Sequence, residues 1–148
     1  MDILDKLKSE HETVKDLVSQ MVDSESAKER KKLFAEFKTA LIKHARAEEK
    51  IMYDPMIALD EEEPEEQGDE GYIEHELVDV MLKKLDAADD KGSVEWTAGI
   101  KVVKELLNHH IKEEENEFFK TVKENFSEDE REEMDAAFEA NKKKVKVS

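Results

Sequence analysis

Two stretches decide the fold: HARAEEKIMY, His44 to Tyr53, and its near copy HIKEEENEFF, His110 to Phe119. In each, a histidine is followed four residues later by a glutamate, Glu48 and Glu114. Residues i and i+4 lie one turn apart on the same face of a helix. Each pair also continues an apolar stripe. Phe34, Phe37 and Leu41 lead into His44, and Ile100, Val103 and Leu107 lead into His110. At helical spacing such a stripe is the core-facing side, so both pairs are expected to point inward. Upstream there is a second match. SEHETVKDLV (Ser9 to Val18) resembles IEHELVDVML (Ile73 to Leu82), centred on His11 and His75. His11 and His75 are 64 residues apart, and the two H-x-x-x-E pairs are 66 apart. The chain therefore reads as one helical hairpin written twice, over residues 1–57 and 68–126.

Working outward, the periodicity predicts helices over about Asp2–Val22, Ala27–Asp54, Tyr72–Ala88 and Val94–Asn125. A short fifth helix is predicted to about Asn141. Ser26 with Glu29 and Ser127 with Glu130 have the spacing of capping boxes, and Ser93 is a further cap. Pro55 is expected to end or kink the second helix. The acidic segment DEEEPEEQGDEG, Asp60 to Gly71, reads as an exposed loop. Four long amphipathic helices with short links predict an all-α, antiparallel up-down-up-down four-helix bundle. Residues 1–141 form one domain, and the basic tail 142–148 is expected to fray.

Composition agrees with helix: Gly 4 and Pro 2 in 148 residues, with 43% charged. The net charge of −16 repels phosphate backbones and anionic membrane surfaces, which argues against nucleic-acid and membrane partners. There is no cysteine, which excludes disulfides, thiolate metal sites and a cysteine nucleophile. With no apolar leader and no long apolar run, a cytoplasmic protein is expected.

A single H-x-x-x-E is usually a surface ion pair, and a single histidine on an apolar stripe is usually a hydrogen-bonded core residue. Two copies in register, joined by two more stripe histidines, point instead to metal. Burying imidazole beside carboxylate is costly unless the charges are paired or bound to an ion. Imidazole and carboxylate without thiolate suit iron, manganese or zinc. His109 has Lys43 as its counterpart and is expected to be peripheral. Glu12, Glu76, Glu49 and Glu115 also repeat, each one residue off the stripe, and read as solvated or as neighbours of the ligands.

The pattern H…H-x-x-x-E…H…H-x-x-x-E across four helices resembles the hemerythrin-like HHE cation-binding family over about residues 1–126. The resemblance implies a non-heme di-iron centre. His11, His44, His75 and His110 would be terminal ligands, and Glu48 and Glu114 would bridge two iron ions together with an oxo, hydroxo or water bridge. Oxygen-carrying hemerythrins place two histidines four apart on the third helix. Here the positions four before and four after His75 are Gly71 and Asp79, which moves the chain away from oxygen storage. Asp79 is expected at the surface rather than as a ligand. Tyr72, one turn before His75, reads as a stripe aromatic or as a redox neighbour. Three functions remain open: binding or sensing oxygen, peroxide, nitric oxide or iron; enzymatic turnover of peroxide or nitric oxide; and iron storage or a structural metal bundle. The expected partner is a small diatomic molecule or peroxide.

Overall fold

A computed structural model describes residues 1–147, and among these no strand occurs. Helix α1 (Ile3–Asp23) is capped by Asp2, whose carboxylate accepts from the Leu4 amide at 2.9 Å. Helix α2 (Ala27–Glu48) starts from Ser26, which accepts from the Glu29 amide at 3.2 Å. Of the two expected boxes, that of Ser127 and Glu130 forms in full, at the start of α7 (Glu128–Lys144). Helix α5 (Val94–Glu113) begins at Ser93, as its spacing predicts. With α4 (Glu62–Ala87), the hairpins α1/α2 and α4/α5 pack through α1 against α5, and α2 closes on α4. Helix α7 lies across α1 and α2.

Three elements differ from the sequence reading. Most of the acidic segment 60–71 is helical, because α4 runs from Glu62 to Ala87. Pro64 is its third residue, where a missing N–H costs nothing, and Glu62, Glu63 and Glu65 face the positive end of the helix dipole. Pro55 does not stop the second helix either. After Glu48 the chain widens into a π-helical turn, Glu49–Tyr53, and continues as α3 (Asp54–Ala58). Pro55, which has no backbone N–H, falls in the first turn of α3, directly after the wide turn. Lastly, α7 reaches Lys144, so the tail assigned to 142–148 is helical at its start; Ser148 lies outside the described residues.

The fourth long helix repeats the π-helical device. A turn over Glu114–Phe118 links α5 to α6 (Phe119–Asn125). Both wide turns begin at or just after a repeat glutamate. They separate two apolar clusters. One holds Phe34, Phe37 and Trp96 near one end of the bundle. The other holds Leu7, Met52, Tyr53, Phe118, Phe119 and Phe138. The histidines lie between them. Among the described residues no helix is long and apolar enough to cross a membrane.

Candidate metal centre

The six residues singled out by the repeat converge. His11 comes from α1, His44 and Glu48 from α2, His75 from α4, His110 from α5, and Glu114 from the second wide turn. All six are buried, and both glutamates are 0% exposed. Donor atoms of His11, His44, Glu48 and Glu114 lie within 4.8 Å of one another, as do those of Glu48, His75 and His110. Each glutamate spans two histidines on different helices. Glu48 lies 3.5 Å from His44 Nε2 through Oε2 and 3.2 Å from His75 Nε2 through Oε1. Glu114 lies 3.3 Å from His11 Nε2 through Oε1 and 3.2 Å from His110 Nε2 through Oε2. Two positions result, a first between His11 and His44 and a second between His75 and His110. Each carboxylate offers one oxygen to each.

The outward nitrogens are held by four more carboxylates. His11 Nδ1 lies 2.7 Å from Glu115, His44 Nδ1 2.9 Å from Glu10, His75 Nδ1 2.8 Å from Glu49 and His110 Nδ1 2.8 Å from Glu74. A donor bond at Nδ1 fixes the ring orientation and aims Nε2 inward, where it offers a lone pair once its proton has left. Glu49 and Glu115 therefore orient imidazoles, as the sequence reading allowed. The other two are not Glu12 and Glu76, which are exposed, but Glu10 and Glu74. These precede the α1 and α4 histidines and reach across to the neighbouring helix. Behind them, Lys142 of α7 pairs with Glu10, and Arg46 joins Glu49 to Asp79 at 3.0 and 2.8 Å. Asp79 is thus an ion-pair partner. His109 is 70% exposed at its side chain and lies 3.6 Å from Glu113.

Sequence reasoning missed Tyr53. Its hydroxyl oxygen lies 2.5 Å from Glu114 Oε2, 2.8 Å from Glu48 Oε1, 3.1 Å from His110 Nε2 and 3.4 Å from His75 Nε2. The side chain is fully buried. Tyr72, read from its spacing as a stripe aromatic or a redox neighbour, donates to Asp54 at 2.5 Å and packs on the Tyr53 ring, as the stripe reading has it. The signal was present in the repeat: Tyr53 aligns with Phe119, so one ring of a matched pair carries a hydroxyl.

The chemistry of this donor set suits a cation. His11 Nε2, Glu48 Oε2 and Glu114 Oε1 are buried and have no hydrogen-bond partner among the described residues. Such atoms normally cost about 1–3 kcal/mol each; all three belong to the first position, where one ion would satisfy them together. Charge points the same way. Burial alone would lower the histidine pKa values, but the carboxylates outweigh it. Glu48 and Glu10 raise His44 to about 10. Glu114 and Glu115 raise His11, Glu48 and Glu49 raise His75, and Glu114 and Glu74 raise His110 well above its usual value. A site that draws protons onto four buried imidazoles draws cations for the same reason. Burial, then the charges of Glu114 and Glu48, hold the Tyr53 phenol well above its usual range.

Beside the imidazoles, on the side away from Glu48 and Glu114, is a cavity whose lining includes Val14, Leu41, Val78, Leu107 and Ile111 together with Glu74 and Asp79. About 20 Å³ is open to the centre of a water-sized molecule, room for one small molecule.

A family model described as the hemerythrin HHE cation binding domain matches residues 2–122. A DNA nickase of Nostoc sp. (strain PCC 7120 / SAG 25.82 / UTEX 2576) is 24% identical over 145 residues, covering 98% of this chain and 40% of that protein. The chain thus spans two fifths of the relative it matches. No solved structure matches it.

Proposed function

The chain belongs to the hemerythrin HHE cation-binding domain family, and from that premise we propose that it holds two iron ions and binds a small diatomic molecule or peroxide beside them. His11, His44, His75 and His110 are the terminal donors in this reading, and Glu48 and Glu114 are the shared ones. The observation that carries it is that each glutamate places one oxygen at each of two histidine pairs. Bundle cores lined by glutamate and histidine from facing helices commonly hold iron or manganese pairs; zinc suits the same donors. Bound iron supplies a redox-active Lewis acid for oxygen, nitric oxide or peroxide.

The residues around the centre do the rest. Glu10, Glu49, Glu74 and Glu115 hold the imidazoles in one tautomer, so that little reorganisation accompanies binding. Val14, Leu41, Val78, Leu107 and Ile111 keep bulk water from the imidazole side. The size of that cavity favours a molecule of two heavy atoms over an organic substrate. We propose no action on DNA: the net charge of −16 opposes a phosphate backbone, and the Nostoc nickase extends well beyond the length matched here.

The test is anaerobic loading with ferrous iron, followed by separate additions of oxygen, nitric oxide and peroxide. A new optical spectrum that saturates at one molecule per chain with at least one of them is expected. Iron-loaded protein that responds to none of the three would contradict the ligand-binding reading.

A further inference from the structure

The two halves of the chain bring an aromatic ring to equivalent places, and the rings differ by one oxygen atom. Tyr53 and Phe119 are 66 residues apart, the offset that also relates Glu48 to Glu114. Phe119 stacks on His11 with centroids 6.3 Å apart and planes 16° apart, offering no polar atom. Tyr53 lies 5.2 Å from the His75 ring and brings its hydroxyl within 3.4 Å of donor atoms on Glu48, His75, His110 and Glu114. One hydroxyl has one proton to donate. A phenol serving only to orient a carboxylate would need one of these contacts; this one sits at the focus of the whole second position.

Two backbone features bring it there. In an α-helix the fifth residue on lies about 140° around the axis, which would turn Tyr53 away from Glu48. The π-helical turn over Glu49–Tyr53 widens the repeat to i→i+5 and sets Tyr53 over Glu48. Opposite the ring is Gly71 of α4. A Cβ there would lie 2.4 Å from Tyr53 Cζ and 2.5 Å from Cε2, so any side chain would displace the ring. The counterpart of Gly71, 64 residues earlier, is Leu7, which is fully buried. Room for a ring carrying a polar tip has been made on one side only.

We propose that Tyr53 is a seventh ligating residue, its Oη binding as phenolate to the ion held by His75 and His110. This rests on the two-metal reading above. The phenolic proton is released to solvent on coordination, and no electrons are transferred. The second position then has five protein donors and the first has four. A hard anionic oxygen favours ferric iron over softer divalent ions at the second position.

The experiment compares ferric, iron-loaded wild type with Tyr53→Phe and Gly71→Ala by metal counting, visible absorption and resonance Raman spectroscopy. Wild type is expected to show a phenolate-to-iron charge-transfer band and tyrosinate ring modes. Tyr53→Phe should lose both while still binding iron. Gly71→Ala keeps the phenol in the chain but pushes the ring aside, and should lose most of the band. Two ions bound in wild type with no such band, or a band unchanged in Tyr53→Phe, overturns the proposal and leaves the two-metal reading standing. Wild type that binds no iron overturns both.

Discussion

At the first position, between His11 and His44, three buried polar atoms face one another without a hydrogen bond; at the second, between His75 and His110, the Tyr53 hydroxyl reaches the corresponding glutamate oxygens. Both positions come from the same hairpin pattern, and both keep two histidines and a share of two glutamates. What differs is the next layer. The first has Phe119 against His11, and Phe138 of α7 against His44. The second has Tyr53 and a glycine that admits it. Duplication explains the shared donors, and small changes around them make the positions chemically unequal.

The largest effects should come from removing what the two positions share. Glu48→Ala and Glu114→Ala each strip an oxygen from both, and metal content should fall from two ions per chain to near zero. His44→Ala and His110→Ala should each weaken mainly one position. Metal analysis after desalting separates the cases. If Glu48→Ala spared one ion, the glutamate would not be shared.

Next come the carboxylates behind the histidines. Glu10→Gln and Glu74→Gln remove the charge that holds His44 and His110, and each should cost roughly 10–100-fold in affinity at one position. Competitive chelator titration measures this. Equal weakening of both ions by one substitution would merge the positions that the geometry separates.

The acid–base behaviour should have opposite signs with and without metal. The pKa of His44 is raised from its usual 6.5 to about 10. A raised folded-state pKa stabilises fully below the unfolded value, and that stability is lost as pH rises through the folded one. Chelator-treated protein should therefore melt at lower temperature at pH 10 than at pH 7, by circular dichroism. Metal binding requires the imidazole proton to leave, so affinity should rise over the same interval. A melting temperature of chelated protein that rises with pH would show that His44 is not held as imidazolium.

The smallest effect is expected at His109. Its side chain is largely exposed, and His109→Ala should leave the metal content unchanged.

Much of this centre was legible in the sequence. Four histidines and two glutamates at matched offsets, each on an apolar stripe, place themselves on facing helices, and the structure brings all six together. What was illegible broke the 3.6-residue period. Tyr53 is five residues from Glu48, off the face for an α-helix and on it for a wide turn. Gly71 reads as a loop residue until Tyr53 is seen against it, and with Pro64 and Gly68 it made the start of α4 look irregular. Glu10 and Glu74 act across to a neighbouring helix, a relation that periodicity along one helix does not carry. Lys142 was assigned to a frayed tail, yet it ends up paired with Glu10 because α7 continues past Asn141.

Mössbauer spectroscopy of oxidised, iron-loaded protein tests the central claim, two shared-carboxylate positions that are not alike. Two quadrupole doublets of equal area are predicted, one for each position. A single doublet, or the signal of an isolated ferric ion, would contradict it.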